Sequence, residues 1–342
     1  MTITFAMTGI TSGAGLRFAE MALGQGHAVR GMVRNLERSD SKRLASLGAT
    51  LVRGDLDDDD ALEETARGAT AFVHCAAHVG DRGEPADFVR VNVGGTRRAL
   101  EAARRAGVKR FVHLSSTAVY GRPDRGRVDE TWPTKHCGLP YEDTKTDAER
   151  LVMEAGPALG LEVTAIRPPI IYGPYDRNFM PRAVTALEKR RFLLVDGGRA
   201  PLNVVWVDHV AEVLLLAATR AEAVGETFNV MDEVDQRPPR VVEVARTIAE
   251  AVGAPPPKLS LPYAVAMALG HAVARAHALA KREGEPMLSP FVVKILTRDV
   301  IYDASKAVRL LGFTPKVHAL EGLAREARAF AARRADATRP AP

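Results

Sequence analysis

Over its first 170 residues the chain alternates short apolar runs with longer stretches whose apolar residues recur every third or fourth position. The runs Ile3–Met7, Ala28–Val33, Thr50–Arg53, Ala71–His74, Arg110–Leu114 and Glu162–Ile166 predict strands. The stretches between them predict helices, as Leu100 and Ala103 do after Asn92. Six strands joined by helical crossovers define an α/β chain with a parallel, doubly wound sheet. Such a sheet is covered on both faces and binds its ligand at the carboxyl ends of its strands.

Beyond residue 170 the pattern loosens. Pro-rich turns precede a strand at Val204–Val207, a helix from Asp208 and a strand at Thr227–Val230, after which the pattern is mostly helical. The run Ala254-Pro255-Pro256-Pro257 separates two helical segments. The division expected is a nucleotide-binding unit over 1–170 and a smaller, mainly helical substrate lobe over 171–333. Residues 204–230 return in part to the core, and 334–342, rich in Ala, Arg and Pro, form a fraying tail.

Composition narrows the class. Of 342 residues, 46% are apolar and 26% charged, ordinary values for a soluble globular protein. The net charge of +5 is interspersed, and with 6% aromatic residues the chain lacks the basic, base-stacking face of a nucleic-acid binder. Cys75 and Cys137 cannot make a disulfide framework, which points to a reducing compartment. No secretory leader is evident at the N-terminus and no apolar run is long enough to span a membrane, so the expected location is the cytoplasm. The nine histidines show no metal-ligand spacing, so no metal is expected.

"TGITSGAG" (Thr8–Gly15) follows the first predicted strand and opens a helix. Gly9, Gly13 and Gly15 there fit a turn that lets backbone approach a pyrophosphate at the helix N-terminus. They fit equally a tight turn in which Thr11 and Ser12 cap the helix. At the end of the second strand, "GMVRN" offers Val33 where an acidic residue would hold the 2′-hydroxyl of NAD(H). Arg34 follows, suited to the 2′-phosphate of NADP(H) or to stacking on adenine. NADP(H) is therefore the preferred cofactor, with NAD(H) also accommodated. Asp55, after the third strand, can accept from the adenine amino group.

The strongest chemical signal is "YEDTK". Tyr141 and Lys145 share one helix face, and the fifth strand ends in "SSTAVYG", which delivers Ser116 to the same edge of the sheet. A phenol of pKa about 10 is a poor acid or base near neutrality, and an adjacent ammonium lowers that value. With a hydroxyl beside it, such a phenol can serve hydride exchange without a metal. Ser115 is read as a strand-end hydrogen-bonding neighbour.

With "GDLDD", "HCAA", "NVGGT", "RPPIIYGP", "VVWVDHVAE" and "DASKAVRLLGFTP", these motifs make the chain resemble an extended short-chain dehydrogenase/reductase over nearly its whole length. That group belongs to the NAD-dependent epimerase/dehydratase superfamily and has a Rossmann-type sheet. The resemblance implies Tyr141 as acid/base, Lys145 as the group that lowers its pKa and holds the nicotinamide ribose, and Ser116 as the donor to the substrate oxygen. It places Leu56, Ala76, Ala77, Pro168 and Ile170 beside the cofactor, together with Gly9, Thr11, Ser12, Gly13 and Gly15. Extended members usually read T-G-x-x-G-x-x-G; here Ser12 stands at the middle glycine and Gly13 follows. The resemblance also implies a homodimer through the helix after Asn92 and the helix of Tyr141.

Thr117-Ala118 stands where 4,6-dehydratases carry Asp-Glu. Leu202-Asn203 stands where sugar-nucleotide epimerases carry an arginine; Arg199 could replace it only if the loop bends. The later segments look most like the 3β-hydroxysteroid dehydrogenase and sterol-4-carboxylate dehydrogenase group. Thr117, Asn178, Phe179 and Asn203 are candidate substrate contacts, and His136 and Cys137 either line the pocket or lie on the loop surface. Pro262–Arg282 reads as a packed helix, a lid over an apolar substrate, or a helix in weak peripheral contact with a membrane. The reading favoured is oxidoreduction between a secondary alcohol and a ketone on an apolar, possibly steroid-like small molecule. Its alternatives are a sugar-nucleotide epimerase with tightly bound NAD and a catalytically silent protein that senses dinucleotide.

Overall fold

The computed structural model describes residues 2–80, 83–234, 236–280 and 288–338. Its main sheet has seven parallel strands: Thr4–Thr8, Ala28–Val33, Thr50–Arg53, Ala71–His74, Arg110–Leu114, Glu162–Arg167 and Thr227–Asn229. In space they run seventh-sixth-fifth-fourth-first-second-third. The order reverses between the first and fourth strands, and their carboxyl ends there form a crevice, the binding position of an open α/β sheet. The first six strands lie where the apolar runs place them, within a residue. The seventh comes from the later half of the chain and closes the sheet beside the sixth.

Each face of the sheet has its own core. On one, Leu16 and Phe18 of the helix Gly13–Gly24 pack with Val210 and Leu214 of the helix Val207–Thr219. Val207 thus opens a helix, and the strand before it is Val204–Trp206. On the other face, Leu62, Leu100 and Val152 come from the helices Asp59–Ala66, Gly95–Arg105 and Pro140–Ala158. The last of these, the tyrosine helix, approaches the sheet closely because Gly156 has no side chain: a Cβ there would lie 2.3 Å from Val163 Cγ1.

A third core belongs to the later half. Met180 and Leu187 of the helix Phe179–Glu188 pack with Val244 and Ile248 of Val241–Ala251 and Leu323 of Ala319–Thr338. Small parallel pairs join this region to the rest: Ile170–Tyr172 with Val204–Trp206, and Asp299–Tyr302 with Arg125–Val128. The final helix continues to Thr338, so the chain beyond 333 is helical there and Arg334 pairs with Glu188, a correction to the expected tail. The remaining positions of that tail, 339–342, lie outside the described residues.

The segment expected as Pro262–Arg282 is a helix over Tyr263–Leu279; positions 281–282 are not among the described residues. Ala266 is buried against Val195 and Val293, and Gly270 abuts the backbone of Ser289 and Pro290. Tyr263, Val265, Leu269 and Leu279 are exposed, so the helix is packed along a narrow seam only.

A buried ion pair fastens the tyrosine helix to the sheet. Arg167, at the end of the sixth strand, donates from Nε and Nη2 to the Glu149 carboxylate at 2.5–3.1 Å, and from Nη1 to the Tyr120 hydroxyl at 2.9 Å. Both partners are at most 5% exposed. Removing one member of such a pair strands the other charge in the interior, at about 3–5 kcal/mol. Glu149→Leu should therefore lower the midpoint of urea unfolding markedly. An unchanged midpoint would mean that this pair does not hold the helix.

Candidate active site

The turn after the first strand is built by three residues with different duties. Gly9 has φ +66°, and a Cβ there would lie 2.5 Å from Ala76 N, so only glycine lets the first and fourth strand ends meet. A Cβ on Gly15 would come within 2.2 Å of Gly9 O, so this glycine too is required by the fold. Ser12 takes extended backbone (φ −74°, ψ 161°) and its Oγ accepts from Gly15 N at 3.1 Å. That explains how serine can stand at the position of the usual glycine: it caps the helix and needs no left-handed conformation. A Cβ on Gly13 would make only ordinary contacts, the nearest 3.5 Å from Tyr175 O, so nothing in the chain itself demands glycine there. A helix N-terminus with a bare first residue, aimed at the crevice, fits a dinucleotide pyrophosphate.

The adenosine end is open. Arg34 is exposed at the end of the second strand and has no hydrogen-bond or ion-pair partner among the described residues. A free guanidinium in this place fits a 2′-phosphate. Asp55 is exposed, and its Oδ1 accepts from Asp57 N at 2.9 Å, leaving Oδ2 for a ligand. Leu56 is buried under Gly95, where a Cβ would be 2.6 Å away. Ala76 and Ala77 are half-buried at the exit of the fourth strand, and Ile170 is half-buried beside Pro168.

Ser116, Tyr141 and Lys145 converge at the carboxyl edge of the fifth strand. Ser116 caps a short turn over Thr117–Tyr120, and its side chain lies beside that of Tyr141. Burial pushes the Tyr141 hydroxyl up to about 12 against the lowering effect of the neighbouring Ser116 hydroxyl. Lys145 is 2% exposed; its Nζ donates to Leu114 O at 2.5 Å and lies 3.4 Å from His113 Nε2. Burial pulls this ammonium down to about 8. In this arrangement desolvation outweighs any influence of Lys145 on the phenol, unlike the expectation of a lowered tyrosine.

The remaining expected residues separate. Thr117 N donates to Pro168 O at 3.0 Å, and its side chain lies beside that of Tyr302. Asn203 spends its amide on the strand Asp299–Tyr302, donating to Val300 O and accepting from Tyr302 N. Asn178 is exposed, and Phe179 packs on the lobe core. His136 is tied to Asp147 at 2.7 Å, and Asp143 holds the amides of Cys137 and Gly138. Arg199 lies in a surface cleft of about 350 Å³ with Arg237, Arg240, Asp196 and Asp299. Of the loop after the fourth strand, Asp81 and Arg82 lie outside the described residues. Among the described residues no cluster of His, Cys, Asp or Glu could hold a metal, and no helix is long and apolar enough to cross a membrane.

With this geometry the comparisons agree. Residues 5–230 match the model of the NAD-dependent epimerase/dehydratase family, and the chain belongs to that family as an extended short-chain dehydrogenase/reductase. It is an NAD(P)-dependent oxidoreductase. A 4-hydroxy-2-methyl-3-oxo-4-farnesyl-3,4-dihydroquinoline-1-oxide ketoreductase of Stigmatella aurantiaca is 33% identical, with 93% of each chain covered. The decarboxylating sterol-4-alpha-carboxylate 3-dehydrogenase of Saccharomyces cerevisiae is 32% identical over 79% of this chain and 80% of its own. Among solved structures, gox2253 is similar at a TM-score of 0.78, 26% identical, over 98% of this chain and 99% of that one.

Sequence reasoning missed Tyr302, His113 and the supports of the tyrosine helix. Asn92 is one such support. Its Oδ1 accepts from His78 N at 2.7 Å, and its Nδ2 donates to His78 O at 3.1 Å and Thr144 Oγ1 at 2.9 Å. It ties the loop after the fourth strand to the residue next to Lys145, a role that the motif "NVGGT" signalled without revealing. Asn92→Ala leaves these buried groups unpaired at about 1–3 kcal/mol. It should lower turnover as well as stability; full activity at lowered stability would show that Asn92 does not place the helix.

Proposed function

We propose that the protein interconverts a secondary alcohol and a ketone on a bulky apolar molecule, with Ser116, Tyr141 and Lys145 managing the proton. The observation that carries this reading is the convergence of Ser116 and Tyr141 at the carboxyl edge of the fifth strand, with Lys145 one helical turn further along the tyrosine helix and anchored on Leu114 O. Bound nicotinamide supplies or accepts the hydride and leaves the proton to the protein. In reduction Tyr141, protonated at all ordinary pH values, gives its proton to the carbonyl oxygen, and Ser116 donates a hydrogen bond to the same oxygen. Lys145 stabilises the phenolate that forms. In oxidation the same groups run in reverse.

The relatives support the substrate class. One is named for a farnesyl-bearing ketone and another for a sterol carboxylate, both large and apolar. Asn203, at the position where epimerases hold a diphosphate, is occupied by backbone. Thr117-Ala118 supplies no acid/base pair for dehydration. The protein works as a homodimer with NADP(H) preferred, and Arg34 is the basis of that preference.

Tyr141→Phe should cost on the order of a thousandfold in turnover while cofactor still binds. Most of the activity surviving would overturn the proton role. Bulky apolar ketones and alcohols should be turned over in preference to nucleotide sugars; comparable epimerisation of a nucleotide sugar would overturn the substrate class.

Arg34→Ala should weaken NADP(H) by roughly five- to thirtyfold and NAD(H) far less, and added salt should erode the wild-type preference. Equal losses for both cofactors would show that Arg34 only stacks on adenine.

A further inference from the structure

Two pairs of rings cross the fourth and fifth strands on the face covered by the tyrosine helix. Deep in the sheet Phe72 stacks on Phe111, ring centroids 5.3 Å apart. At the carboxyl edge the next pair in register is His74 and His113, at 5.5 Å. Phenylalanine therefore gives way to histidine where the ladder reaches the site. His74 has a structural explanation: its two nitrogens lie 2.6 Å from Thr8 Oγ1 and 3.0 Å from Thr96 Oγ1. His113 has none of that kind. It is 1% exposed, its Nδ1 has no hydrogen-bond partner among the described residues, and its other nitrogen faces Lys145 Nζ. A third phenylalanine would fill the space without leaving a buried polar atom unpaired.

We propose that His113 is a positioning residue: its Nε2 accepts a hydrogen bond from Lys145 and, with Leu114 O, holds that side chain charged and fixed at the edge of the crevice. An ammonium has no lone pair, so the imidazole must be the acceptor and its proton must sit on Nδ1. The unpaired Nδ1 is the cost of that tautomer. A neutral acceptor favours the charged lysine against burial, which disfavours it. The catalytic meaning of this contact rests on the role of Lys145 given under Proposed function.

Burial moves the histidines, the thiol and the phenol that face Lys145 away from titration near neutrality. Burial lowers His74 to about 3, keeps His113 well below its ordinary range and raises Cys75 to about 12. On its own helix Tyr141 is raised to about 12, and Glu149 is the ion-pair partner of Arg167. Ketone reduction is therefore expected to fall with rising pH as Lys145, whose ammonium burial pulls down to about 8, loses its proton.

The test uses two variants of the full chain. His113→Asn withdraws the acceptor from Nζ, and His113→Gln can restore an oxygen near the Nε2 position. Lys145 is titrated in free, 13C-lysine-labelled protein, its resonance assigned by disappearance in Lys145→Met. The pH profile of reduction is measured alongside. His113→Asn should move the Lys145 midpoint down by about one pH unit, a tenfold change, and the alkaline limb of activity with it. His113→Gln should restore most of the shift. An unmoved lysine midpoint in His113→Asn, or equal shifts in both variants, would overturn the proposal. If His113→Asn does not fold, His113→Gln decides alone: a midpoint displaced as far as a full unit would overturn it. A shifted lysine without a shifted activity limb would leave the positioning of Lys145 intact and overturn its catalytic role instead.

Discussion

An ammonium can be kept inside a protein only where its donors are met and its helix cannot drift, and the burial of Lys145 sets that condition for this whole half of the molecule. The tyrosine helix is held at several heights. Near its start Glu142 pairs with Arg122, and Asn92 grips Thr144. In its middle Glu149 meets Arg167. Towards its end Gly156 lets it lie against Val163. The fifth strand then offers Leu114 O and the His113 ring at the one place where Nζ arrives. Lys145 keeps its position because the helix has few ways to move, and Tyr141 inherits that precision from the same helix.

The later half of the chain is coupled to the sheet by a second set of charges. Arg17 of the first helix grips Asp208 through Nε and Nη2, which fixes the helix Val207–Thr219 beside the first helix. Asp232 is almost wholly buried, and it accepts from Trp206 N and the Tyr172 hydroxyl and pairs with His209 Nδ1. His209 Nε2 in turn accepts from the amides of Lys316 and Val317. One carboxylate thus organises a strand end, a helix start and the entry to the final helix. The motif "VVWVDHVAE" contains two of these anchors, Asp208 and His209, both of which serve the architecture.

Much of this was legible in the sequence, and the boundary of legibility is physical. Parallel strands buried on both faces read as continuous apolar runs, so the first six strands and their crossovers could be placed from local pattern. Ser116, Tyr141 and Lys145 could be named because one strand end and one helical spacing suffice to bring them together. Ser12 could be located but not understood, since whether a serine fits depends on φ, which spacing does not report. The seventh strand was visible as a run, but not its place beside the sixth. Glu149, Arg167 and His113 stayed hidden because each acts through a partner on another element, and only the packed sheet puts such pairs in contact.

Asn203 serves the same kind of constraint. An arginine at its place would present a charge to a substrate; the asparagine present turns its amide to backbone and joins the strand Asp299–Tyr302 to the loop before Val204. That strand carries Tyr302, which stacks on Tyr120 with centroids 5.8 Å apart and lies beside Thr117, the residue after Ser116. Tyr120 is itself the hydroxyl that meets Arg167. An amide bound to that strand adds rigidity around the serine and presents no charge there. For hydride transfer, fixed placement of the groups that meet the reacting oxygen matters more than additional charge.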